Sequence, residues 1–167
     1  MMTLAKSVFA TAALFAFAFA HASGSGEVTK EGKTTKLTNA YAYRRADHFD
    51  ATKMLTVVVF STEPADTAKV DAAADRIREF ESQMSQKRAT YVELEIAADG
   101  SLEQLGFQAP GLSTSGGSSD KPALTRNDEH RIEGSFRTSD EKKKTNGFGA
   151  YYDLKFELDI PAAAAKH

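Results

Sequence analysis

From Tyr152 to Ile160 the chain alternates without a break. Tyr152, Leu154, Phe156, Leu158 and Ile160 fall on one side, and Asp153, Lys155, Glu157 and Asp159 on the other. A period of two is that of a β-strand; on a helix the same residues would scatter around the whole circumference. One apolar face and one charged face suit an antiparallel sheet that packs on a core and meets water on its other side. Pro161 ends the segment, because it cannot donate to a ladder. This strand is the strongest constraint on the fold, since its apolar face must be buried while its charged face meets water.

Further segments fit the same plan. Tyr91 to Ala97 alternates Val92, Leu94 and Ile96 with Glu93 and Glu95. The two glutamates are expected to face water, where no burial raises their pKa. Asp99-Gly100 is a turn signal, and Leu102 to Phe107 returns as the hairpin partner. His130 to Arg137 offers Ile132, Gly134 and Phe136 inward. Val28 to Lys30 and Lys33 to Thr35 flank Glu31-Gly32 as another hairpin, whose second strand is read as continuing to Tyr43. Met54 to Phe60 ends in Val57-Val58-Val59-Phe60, an apolar run of the kind found in strands buried on both faces.

One helix interrupts the strands. Between Asp66 and Met84, the residues Val70, Ala73, Ile77, Phe80 and Met84 recur every three or four positions and form one stripe. Asp66 or Thr67 is placed to cap its free amides. The opposite side carries Lys69, Asp71, Asp75, Arg78 and Glu79, a mixed surface unlike the basic face of a membrane-lying helix. Gln108 to Arg126, rich in Gly, Ser, Thr and Pro, reads as a loop. Glu141 to Lys144 and Asn146-Gly147 read as a polar turn. The expected fold is mainly β: an antiparallel sandwich or barrel-like sheet of about seven strands with one inserted amphipathic helix. The alternative is an α+β fold with the helix on a single antiparallel sheet.

The start of the chain has a different character. Lys6 precedes the apolar stretch Val8–Ala20, and Ala20-His21-Ala22 fits the small-x-small pattern of signal-peptidase cleavage. The apolar stretch is shorter than the roughly 20 residues that span a bilayer. The organisation is therefore read as a signal peptide over 1–22, a flexible linker over 23–26, a single β-rich domain over 27–161 and a tail over 162–167. Removing residues 1–22 from the 167 leaves 145, with 20 basic and 23 acidic side chains. That balance gives no basic excess for nucleic acid. No remaining run is long enough for stable membrane insertion. The chain has no cysteine, so disulfides, thiolate nucleophiles and Cys-type zinc sites are absent. The expected location is the periplasm or outside the cell.

Few residues carry chemistry. Gly32-Lys33-Thr34 resembles the end of a phosphate-binding loop, but the glycine required five positions earlier is Glu27. No cofactor is implied. The serines at 113, 115, 118 and 119 lack the rigid setting a nucleophile needs. Tyr41, Tyr43, Arg44 and Arg45 combine aromatic and guanidinium groups as recognition surfaces do, and form the candidate binding cluster. Asp47 and Asp50 are the acids that would neutralise these arginines internally. His48 with Asp50, and Glu129 with His130, would make a two-histidine, two-carboxylate metal site if their loops met.

The stretch LTNAYAYRRADHFDATKMLTVVVF, Leu37 to Phe60, is similar to a segment of exported bacterial proteins in which an Ala-Tyr-Ala strand, an Asp-x-Phe-Asp loop and an apolar strand follow one another. RIEGSF and YYDLKFELDIP resemble their last hairpin. The resemblance implies a secreted β-domain and carries no site residues.

These readings favour an exported, non-catalytic β-domain that binds a protein or a small ligand. The alternative is a small metal-dependent hydrolase using His48 and His130. Export has a direct check. The intact mass of the exported protein is expected to correspond to a chain beginning at or near Ser23, and retention of residues 1–22 in the main species would overturn the reading.

Overall fold

A computed structural model describes residues 23–140 and 149–162. The expected signal peptide, the polar turn from Glu141 to Lys144 and the tail beyond Ala162, including His167, lie outside the described residues. Among the described residues there are ten strands: β1 (Ser23–Lys30), β2 (Lys33–Leu37), β3 (Asn39–Ala46), β4 (Met54–Ser61), β5 (Tyr91–Ile96), β6 (Leu102–Ala109), β7 (Leu112–Gly116), β8 (Ala123–Asn127), β9 (Arg131–Arg137) and β10 (Ala150–Asp159). They form two five-stranded antiparallel sheets, ordered β2-β1-β10-β9-β8 and β3-β4-β5-β6-β7. Every neighbour in either sheet is also a neighbour in sequence, except for β1 beside β10.

The sheets face each other across one apolar interior. β10 supplies Tyr152, Leu154, Phe156 and Leu158 from its inward side, as its alternation requires. Val58 and Phe60 of β4, Val92, Leu94 and Ile96 of β5, and Ile132 and Phe136 of β9 meet them. The Phe60 and Phe156 rings pack edge-on with centroids 6.1 Å apart, a favourable quadrupole arrangement. The outer face of the first sheet is wet and laced with charge. Arg131 there is held by Glu133 and Asp159, each at 2.5 Å, and by Glu157.

Over β3, β4 and β5 the outer face of the second sheet is not wet, because helices cover it. The expected single helix is two: α1 (Thr67–Ala72) and α2 (Arg76–Gln86). Asp66 caps the first by accepting from the Lys69 amide at 3.2 Å, and Asp75 caps the second by accepting from the Arg78 amide at 3.1 Å. Asp75 thus restarts the helix in the middle of the apolar stripe. Val70, Phe80 and Met84 pack on Tyr41, Tyr43, Val57, Val59 and Tyr91 in a second apolar cluster. β4 contributes to both clusters, which explains its uninterrupted apolar run.

Three other expectations are corrected. The strand read as continuing from Lys33 to Tyr43 breaks at Thr38, where the chain leaves the first sheet and enters the second. The stretch from Gln108 to Arg126, read as a loop, contains β7 and β8. Ser23–Gly26, read as a flexible linker, is half of β1 and pairs residue for residue with Glu157 to Leu154. Its glycines are there for want of space. A Cβ on Gly24 would sit 2.4 Å from the Ala40 Cβ of the opposing sheet, and one on Gly26 would sit 2.5 Å from the Asp153 carbonyl oxygen. The sheets close on each other at this corner only because no side chain intervenes.

Gly24→Ala is therefore expected to destabilise the fold by about 1–3 kcal/mol in urea unfolding. Gly117→Ala, with open space around the position, should change stability by less than about 0.5 kcal/mol. Equal effects would contradict the close approach at Gly24.

Candidate functional site

The aromatic-basic cluster lies under the helix layer. In β3, Tyr41, Tyr43 and Arg45 alternate onto the side that α1 and α2 cover. Tyr43 is 0% exposed and Tyr41 9% exposed, with their rings stacked 5.7 Å apart. Neither tyrosine presents a face to a partner, which corrects the surface expected from their spacing. The Tyr41 hydroxyl donates to Asp71 of α1. Burial, then the hydrogen bond to Asp71, raises its pKa above the ordinary tyrosine value. Asp71 also pairs with Arg76 at 3.6 Å, and Arg76 donates to the Ala162 carbonyl at 2.7 Å. This chain of contacts fastens β3, both helices and the segment after β10 together.

Arg45 reaches across β4 to form an ion pair with Glu95 of β5 and donates to the Ala46 carbonyl at 2.9 Å. Desolvation works against its charge, but the hydrogen bond to Glu95 and the surrounding negative charge together outweigh this and hold its pKa above the usual value. Its partner is Glu95, not the expected Asp47 or Asp50. Arg44 is half-buried, and the Nε atoms of Arg44 and Arg45 have no partner among the described residues.

Glu93 and Glu95 were missed by sequence reasoning. Alternation assigned them to water, yet they are 5% and 4% exposed. They point to the helix-covered side of β5, across from Val59 and Val57. Burial, then the neighbouring Glu95 charge and hydrogen bond, pushes the Glu93 carboxyl up to about 8. Near neutral pH Glu93 therefore keeps its proton, while Glu95 pairs with Arg45. The Tyr43 hydroxyl faces this pair from β3 and has no hydrogen-bond partner among the described residues. The available signal was the amphipathic helix immediately before β5, which needed a sheet face to cover. An acid pair sealed in this way lacks the substrate access that acid–base catalysis requires.

The histidines stay on the surface. His48 and Phe49 form the tip of the β3–β4 turn, with rings edge-on at 5.2 Å and Phe49 95% exposed. Asp47 accepts from the Phe49 amide at 2.7 Å, and Asp50 accepts from the Thr52 amide at 3.1 Å and pairs with Lys53 at 3.7 Å. In the β8–β9 turn, Glu129 and His130 are exposed. Asp128 organises this turn by accepting from the His130 and Arg131 amides at 2.9 and 3.0 Å. Both turns lie at one end of the sandwich, where Asn127 bridges to Thr56 Oγ1 and to the Ala97 carbonyl, each at 3.0 Å. Asp50 is spent on its own turn. Among the described residues, no three metal-ligating side chains come together.

A more open feature lies at the far end of α2. A cleft of about 370 Å³ is bounded by the last turn of that helix and the β6–β7 turn. It is lined by Glu81, Met84, Arg88, Tyr91, Gln108 and Pro110, among others. Tyr91 and Glu81 are hydrogen-bonded, and burial raises both of their pKa values. Arg88 follows the helix with φ +53°. Its amide donates to Ser85 at 3.0 Å and the Ala89 amide donates to Met84 at 2.9 Å. These are the two bonds of a Schellman cap, in which the left-handed position is customarily glycine. Arg88 makes no ion pair among the described residues, so its guanidinium is available at the cleft mouth.

No protein-family model, curated protein or solved structure matches the chain. Among the described residues, no helix is long and apolar enough to cross a membrane.

The sealed carboxyl pair gives a pH dependence of defined sign. Below pH 4.5 Glu93 is protonated both folded and unfolded. Between 4.5 and about 8 the unfolded chain ionises it while the fold retains the proton, so stability falls as pH rises. Glu93→Gln is expected to match the native protein near pH 4 and to exceed it at pH 9 by about 2–4 kcal/mol. Denaturant unfolding across that range is the measurement. A difference that does not grow with pH would show that Glu93 is not held protonated.

Proposed function

We propose that this chain is an exported, non-catalytic binding domain that holds a small anionic ligand, such as a carboxylate, in the cleft between α2 and the β6–β7 turn. The observation that carries this reading is Arg88. A non-glycine residue in the left-handed region costs about 1 kcal/mol relative to glycine. A residue kept at such a cost at the rim of a cleft, with its charge uncompensated, points to use. Guanidinium geometry suits a carboxylate or phosphate in two-pronged contact. Gln108 supplies amide hydrogen-bonding capacity, and Met84, Ala89 and Pro110 give an apolar lining, the mixture typical of small-ligand sites.

Other features support binding over catalysis. The interior between the sheets is filled by side chains, and the sealed Glu93 and Glu95 carboxyl groups have no substrate access. Export rests on the leader-like first 22 residues.

Arg88→Gly separates a functional cost from a structural role. The variant is expected to gain about 1 kcal/mol in urea unfolding and to lose binding. Amide chemical-shift titration with a panel of di- and tricarboxylates and acidic sugars reads the second effect. Shifts in the native protein should centre on Glu81, Arg88, Tyr91 and Gln108. A variant that binds the same compound with unchanged affinity would end this proposal.

A further inference from the structure

We propose that β7 is a self-pairing edge, through which two copies of this chain join their second sheets into one continuous ten-stranded sheet. A sheet edge presents unpaired N–H and C=O groups, and folded proteins usually blunt it with charge, proline or a bulge. Three of the four edges here follow that rule. β2 carries Lys33 and Lys36, β3 carries Arg44 and Arg45, and β8 carries Arg126 beside a register irregularity between Leu124 and Arg126. β7 reads Leu112-Ser113-Thr114-Ser115-Gly116, with no charge and no proline. It pairs with β6 on one side, and among the described residues no strand lies on the other.

The geometry of β7 suits a twofold pair. Ala109 and Leu112 face each other across the two-residue Pro110-Gly111 turn. Counting the antiparallel alternation from that turn sends the N–H and C=O of Ser113 and Ser115 outward. An antiparallel copy related by a twofold axis at Thr114 then sets Ser113 opposite the partner copy's Ser115, and Ser115 opposite its Ser113. Both pairs are of the type that exchanges two backbone hydrogen bonds. Thr114 meets its own copy in a non-hydrogen-bonded pair, a favourable threonine–threonine contact. Leu112, half-buried, falls opposite the second copy's Gly116. That glycine has nothing within 4 Å of where a Cβ would stand, so the leucine meets no obstruction. Self-pairing at β2 or β3 would instead bring several like charges together.

A five-residue ladder buries much less than the roughly 1,200 Å² of a stable interface. The dimer is therefore reversible and depends on concentration. Sedimentation equilibrium of the protein as isolated is expected to show monomer at micromolar and dimer at near-millimolar concentration. Ser115→Pro removes an outward N–H and should lower the association constant at least tenfold, with unchanged circular dichroism and melting temperature. Thr114→Lys and Thr114→Glu set like charges across the axis, so each alone should be monomeric, while an equimolar mixture should recover a heterodimer. The charge swap keeps the test decisive should the proline variant misfold. A native protein that stays monomeric throughout, or a mixture of the two charge variants that does not associate, would overturn the proposal.

Discussion

The ladder between β1 and β10 holds this architecture together. It is the one pairing between strands far apart in sequence, and it runs in unbroken register from Ser23–Glu157 to Lys30–Ala150. Without it the first sheet separates into the β1–β2 hairpin and the β8–β9–β10 group, and neither covers the second sheet alone. The chain has no cysteine, so no disulfide offsets the entropy of closing this long loop. The cost rises only logarithmically with loop length, and the apolar side of β10 compensates by burying Leu154, Phe156 and Leu158 against both sheets. Gly24 and Gly26 belong to the same device, because strand pairing and sheet closure coincide at one corner. A topology closed by such distant contacts is expected to fold more slowly than a helical domain of this length.

The helix layer is held differently. Its apolar contacts with Tyr41, Val57 and Val59 sit beside a polar group that burial does not favour. Glu93 is retained by keeping its proton, and Glu95 by pairing with Arg45. A buried ion pair is close to break-even against an apolar equivalent, yet removing one partner strands the other charge. The cover over the second sheet thus responds to pH through Glu93. Among the described residues, the interior between the sheets carries no comparable carboxyl pair and responds mainly to packing.

This difference also explains what the sequence revealed. Tyr152 to Ile160 was legible because one face is charged and the other apolar, and the structure keeps both as alternation implies. Glu93 and Glu95 share that pattern and were misassigned, since alternation reports two unlike faces without saying which is wet. A strand whose polar side is covered by a helix looks the same in sequence as one whose polar side meets water. Tyr41 and Tyr43 were misplaced for the same reason. β7 and β8 were hidden because Ser, Thr and Gly are as frequent in loops as in short edge strands, and only pairing distinguishes them. The glycines of Ser23–Gly26 suggested mobility, but their role depends on Ala40, which belongs to the other sheet. The candidate cleft was illegible because Arg88 matters through its φ angle, which no residue pattern announces.

Arg88 and β7 are two departures from local preference, and Arg88 lies across the cleft from the turn that begins β7. Pro110 and Gly111 line the cleft beside Arg88 and also form the turn from which β7 leaves. Local rules are usually broken where function compensates for the loss, and here both breaks converge on the β6–β7 hairpin. Within its sheet that hairpin is held through β6 alone, because β7 has no second neighbour strand among the described residues, while Ala109 and Leu112 pack on the apolar interior. A ligand held against Pro110 would restrict the same turn whose orientation presents Ser113 and Ser115 to a second copy. If both sites are used as proposed, order gained at one would lower the ordering cost at the other, and linkage would require the effect to run both ways.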